Sequence, residues 1–138
     1  MIKEILFGGS GTSTRLGDIG LLLARIFIGL SMAIAHGLPK LQDPSGIIKG
    51  TTAMGFPLPI AFAWAAILAE FLGGIMLALG LLTRPSAFLI ASTMGVAAFV
   101  AHASDPFKSK ELAMAYLFAG ILFICTGGGR FSIDKLIK

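Results

Sequence analysis

Residues 19–38 read IGLLLARIFIGLSMAIAHGL, twenty positions in which Arg25, Ser31 and His36 are the polar interruptions. A helix rising about 1.5 Å per residue carries twenty residues across the roughly 30 Å hydrocarbon core of a bilayer. Asp18 is a suitable N-cap for this helix and Pro39 a suitable stop. Working outward, residues 59–82 form the longest apolar run, entered through Phe56-Pro57-Leu58-Pro59 and carrying Glu70 as its one charge. Thr83-Arg84-Pro85 punctuates the chain before a third run, 85–103, which stops at Ser104-Asp105-Pro106. A fourth, 109–126, ends at Gly127-Gly128-Gly129 and is compact for a full crossing. The expected fold is therefore all-α: an integral membrane four-helix bundle with spans near 19–38, 59–82, 85–103 and 109–126. It forms one membrane domain over 1–138, in which 1–18 are a polar N-terminal segment and 127–138 a short interfacial tail. The connection from Lys40 to Leu58 mixes apolar and polar residues, so it reads either as a short amphipathic piece along the interface or as an ordered loop.

Composition points the same way. Of 138 residues, 56% are hydrophobic and 13% charged, where soluble domains carry about 25% charged residues. With a mean hydropathy of +0.90, too few polar side chains remain to cover the surface that a fold of this size exposes. This argues against a cytosolic enzyme and against a disulfide-stapled secreted domain. Eleven Lys and Arg give a net charge of +4, but they are scattered along the chain and form no stripe. Anionic lipid headgroups, and no nucleic acid, are the partner this charge implies. Cys125 stands alone, so neither an internal disulfide nor a dithiol centre exists. The first eighteen residues lack the apolar core of a signal peptide, so no cleaved leader is expected. Four spans put both ends of the chain on one side, with Lys3, Arg15, Arg84, Arg130, Lys135 and Lys138. Lys40, Lys49, Lys108 and Lys110 lie opposite. The positive-inside rule then leans toward cytoplasmic termini.

A charge inside a span costs about 2.5 to 3.5 kcal/mol on insertion scales, so each needs a reason. Arg25 and Glu70 are expected to form a buried ion pair, either structural or serving as a ligand or proton site. Toward the far face, His36 lies seventeen residues beyond Ile19 and His102 seventeen beyond Pro85, which gives them nearly equal depth. Together with Lys40, Glu111 and Tyr116 they make a candidate proton-exchange or ligand site that would offer proton donors and acceptors around neutral pH. Two histidines facing headgroups are the plainer alternative. The spacing of His36, His102 and Glu111 lacks the short fixed pattern of a zinc site, so no metal is expected. Gly73, Gly74 and Ala78, like Ala91 and Gly95, have small-xxx-small spacing suited to close helix packing.

Several pieces occur together in a fixed order. They are Arg25-x-x-x-Gly29 leading to His36-Gly37-Leu38-Pro39-Lys40-Leu41, Gly55-Phe56-Pro57, Glu70-Phe71-Leu72-Gly73-Gly74 running on to Gly80-Leu81-Leu82-Thr83-Arg84, then Met94, His102, Glu111 and the closing Gly127-Gly128-Gly129-Arg130-Phe131-Ser132-Ile133-Asp134. From about Leu22 to Leu136 the chain resembles the DoxX family of small four-helix membrane proteins, which is related to the small subunit of thiosulfate:quinone oxidoreductase. The resemblance implies a multi-pass protein of the bacterial or archaeal cytoplasmic membrane, associated with oxidoreductases and redox homeostasis. It also implies an accessory subunit that handles a quinone or similar lipophilic molecule, with His36, His102 and Glu111 exchanging protons. No flavin, haem or iron–sulfur ligand set is present, so no intrinsic cofactor is expected, and electrons would come from a partner redox subunit. A membrane scaffold for soluble redox or stress enzymes and a small proton-coupled carrier are the alternatives. A homo-oligomer is compatible with each.

Overall fold

The structure, a computed structural model, describes residues 1–7 and 14–138. Residues 8–13 of the polar N-terminal segment lie outside the described residues. In chain order the helices are α1 (Ile2–Phe7), α2 (Arg15–Gln42), α3 (Ser45–Ala53), α4 (Pro59–Leu79), α5 (Thr83–Ala101), α6 (Phe107–Thr126) and α7 (Ile133–Ile137). Among the described residues, α2, α4, α5 and α6 are long and apolar enough to cross a membrane. The chain is thus an all-α membrane bundle. Large apolar side chains point outward on every span, including Phe27, Ile34, Leu68, Phe88, Phe99 and Phe118. In water such a surface would be a liability, whereas in lipid it is the solvated face.

The span boundaries differ from the sequence expectation in instructive ways. Helix α2 begins at Arg15, capped by Thr14, whose hydroxyl accepts from the Gly17 N–H at 3.1 Å. Asp18, the expected cap, is instead buried in the first turn, 3.6 Å from the Arg130 Nε. At its other end α2 runs through Pro39 to Gln42. The segment Met32–Gly37 is π-helical, and the Leu38 N–H donates to Ala33 O, five residues back. Widening the turn removes the i−4 geometry that a proline would otherwise break. Helix α5 ends in a second π-helical segment, Ala97–Ala101. Helix α6 starts at Phe107, and its 20 residues suffice for a crossing. The Lys40–Leu58 connection contains a true helix, α3.

Small residues set the closest helix crossing. A Cβ on Gly29 would stand 2.5 Å from Gly74 O, and one on Gly74 would stand 2.7 Å from Gly29 O, so only hydrogen fits at both places. One π-widened stretch further along α2, Gly37 meets the backbone of Phe71 in the same way. Around this seam Leu21, Met32, Leu77, Ala87, Ile90, Met94 and Phe123 form the core, drawn from all four spans.

Candidate functional site

Arg25 and Glu70, both buried, do not meet each other. The register of the α2–α4 seam explains why: Gly29 lies against Gly74 and Ala78, and Gly37 against Phe71. Arg25 therefore sits level with the end of α4, and Glu70 level with residues just beyond Gly37. Twelve residues separate those two levels on α2, about 18 Å along a helix axis. The expected Arg25–Glu70 pair is corrected to two separate arrangements, one near each end of the bundle.

At the terminus-bearing end, Arg25 holds backbone. Its Nη1 donates to Gly128 O, its Nη2 to Phe131 O at 2.9 Å and its Nε to Ala78 O at 3.3 Å. The planar fork of five donors suits a guanidinium to three carbonyls converging from a loop and a helix end. Gly80, at φ +69°, lets the chain turn out of α4 beside that group, where a Cβ would stand 2.5 Å from Nη1. The counter-charge felt by Arg25 is Asp134, whose two carboxylate oxygens accept from the N–H groups of Leu82 and Thr83 at 2.7 and 2.8 Å. Asp134 thereby caps α5, whose preceding residue Leu82 has left-handed backbone and offers no side-chain cap. The closing Gly127–Asp134 motif is a structural clasp. Asp134's capping role escapes sequence reasoning because the helix it caps lies fifty residues upstream.

Nearer the opposite end, Lys40 takes the place foreseen for Arg25. Its Nζ donates to both oxygens of Glu70, at 2.7 and 2.6 Å, with the lysine partly exposed and the glutamate side chain only 1% exposed. This pair lines a cavity of about 840 Å³ bounded by α4, α5 and the overlying α3. Most of the lining is apolar, for instance Phe62, Ala66, Leu89 and Val96. Thr51 fastens α3 above it, its hydroxyl donating to Pro59 O at 2.9 Å. Asp43 stands in the lining as well, and hydrogen bonds from Ser45 together with the nearby charge of Lys49 hold its carboxyl below the usual range. Ser92 and Thr93, from α5, complete the polar lining. Ser92 and Thr93 carry no signal in the sequence, because hydroxyls in an apolar span fit no pattern, and Thr51 lies in a connection of mixed polarity.

The other candidate residues divide. The His36 and Tyr116 rings meet edge to face with centroids 5.3 Å apart. His102 turns to the exposed Asp105, with Nδ1 2.7 Å from its carboxylate, just past the π-helical end of α5. Glu111 is exposed on the first turns of α6. None of these four lines the cavity, which takes only Lys40 from the far-side group expected from sequence, together with Glu70. Among the described residues, no three His, Cys, Asp or Glu side chains gather as metal ligands.

The DoxX family model matches residues 20–103, which include all of α4 and α5, most of α2, and thus the Lys40–Glu70 pair. The chain belongs to the DoxX family. Among DoxX relatives, the inner membrane protein YqjF of Escherichia coli is 32% identical over 131 residues, covering 90% of this chain and 96% of its own. The protein named "Putative oxidoreductase CatD" of Bacillus subtilis is 31% identical over 121 residues, 87% of this chain and 88% of its own. The inner membrane protein YphA of Escherichia coli is 32% identical over 128 residues, 83% and 88% respectively. No solved structure matches this DoxX chain.

Proposed function

We propose that this protein is a redox accessory of the bacterial or archaeal inner membrane, both termini cytoplasmic, which holds a quinone or similar lipophilic molecule in the cavity beneath α3 and exchanges protons with it. The carrying observation is an apolar chamber of about 840 Å³ with one largely buried ion pair in its wall. Its size falls in the range of ligand pockets, and a few placed polar groups on an apolar wall are what such pockets use to orient a ligand. A quinone fits this donor set: its rings and tail match the alanine, leucine and phenylalanine lining, and a carbonyl oxygen suits the ammonium of Lys40. When bound, such a molecule would accept electrons from a partner and protons from its surroundings. Lys40 and Glu70 would orient its polar end, with the ammonium of Lys40 as the donor to its oxygen and the proton-exchanging group beside it. The oxidoreductase name of one relative agrees with this reading.

Trp64, the sole tryptophan, stands on α4 beside Ala65 and Ala66 of the lining and serves as a reporter. Titrating the detergent-purified chain with a short-chain quinone is expected to give saturable quenching of Trp64 that Ala66→Phe abolishes. Linear, non-saturating quenching that is unchanged in Ala66→Phe would mean partition into the micelle and would defeat the proposal.

A further inference from the structure

The polar groups of the cavity are unequal in kind. Ser92 donates its hydroxyl proton to Phe88 O at 2.8 Å, and Thr93 donates its own to Leu89 O at 3.0 Å. Each hydroxyl has one hydrogen and two lone pairs, so both face the cavity as acceptors. Thr51 likewise spends its proton on backbone carbonyls. Glu70 accepts from Lys40 through both oxygens but keeps further lone pairs, and Asp43 is a second carboxylate in the wall. Against these acceptors, the ammonium of Lys40 retains one N–H of three after its two bonds to Glu70.

We infer that the cavity selects the hydroxyl-bearing, reduced form of a lipid-soluble redox molecule, a diphenol in preference to the dione of the same skeleton. The inference depends on the cavity being the ligand site, as proposed above. A diphenol brings two donors to a wall rich in acceptors, and one of its oxygens can still accept from Lys40. A dione brings acceptors alone and finds a single ammonium N–H. Ser92 and Thr93 are then specificity-determining residues, reading the hydrogens that distinguish the two redox states.

The experiment compares menadiol, kept reduced under anaerobic conditions, with menadione, each titrated into the detergent-purified full chain. The same is done for Ser92→Ala/Thr93→Val and for Ala66→Phe. Menadiol is expected to bind about tenfold more tightly, the discrimination that one or two hydrogen bonds supply. In Ser92→Ala/Thr93→Val the preference should shrink to within about threefold, chiefly by loss of menadiol affinity. Equal affinities in the wild type, or tighter binding of menadione, would overturn the inference while leaving the cavity reading intact, provided Ala66→Phe abolishes both. An undiminished preference in the double variant would overturn the role of the two hydroxyls. Binding of neither molecule, or binding that Ala66→Phe does not touch, would overturn the cavity reading and this inference with it.

Discussion

Lys40 and Glu70 show how one side chain can make another tolerable. A carboxylate that is 99% buried survives only because an ammonium meets both its oxygens. Removing the lysine alone strands that charge, so Lys40→Met should lower stability by about 3 kcal/mol, and Lys40→Met/Glu70→Gln should recover most of the loss. Thermal unfolding of the two variants in the same detergent checks this, and a double variant no more stable than the single one would contradict it. That Arg25 and Glu70 demanded explanation was legible in the sequence, because charges in apolar runs are conspicuous. Their partners were not. Arg25 is satisfied by carbonyl oxygens, which every residue carries, and Lys40 follows a proline that hydropathy reads as the end of the span, although the helix runs past it to Gln42.

Helices and their crossings form the next level. Hydropathy alone located all four spans, and the glycine spacing in α4 pointed to close packing. Hydropathy has no access to turn geometry, so it could not foresee that α2 would continue through Pro39, nor decide between the amphipathic piece and the loop for the Lys40–Leu58 connection, which folds as a helix over a cavity. The Gly29–Gly74 crossing is the tightest point of the α2–α4 seam, and it sets the register that keeps Arg25 and Glu70 apart. Gly74→Val should force the two helices apart, since the added Cβ alone would meet Gly29 O at 2.7 Å. The cost belongs with overpacked cores, about 1 to 3 kcal/mol or more. Size-exclusion profiles and unfolding midpoints would register it, whereas Gly46→Ala on α3, where a Cβ meets nothing within 4 Å, should leave both unchanged.

At the scale of the whole molecule, the exposed cations Arg15, Arg130, Lys135 and Lys138 gather at the end that carries the termini, whereas Asp18 and Asp134 of the same end are buried. A face that presents cations outward suits the anionic cytoplasmic leaflet. A cysteine placed at the chain end, Lys138→Cys in a Cys125→Ala background, should therefore resist a membrane-impermeant maleimide in intact cells and react in inside-out vesicles. The reverse pattern would turn the protein over in the membrane.

The clasp around Arg25 also bears on how the chain is made. Its guanidinium enters the bilayer with the first span, yet the carbonyls of Gly128 and Phe131 that receive it lie 103 and 106 residues further along. Until synthesis has passed Phe131, that cation lacks two of the three carbonyls that hold it in the folded protein. In the folded protein the same group ties the first span to the loop that follows the last.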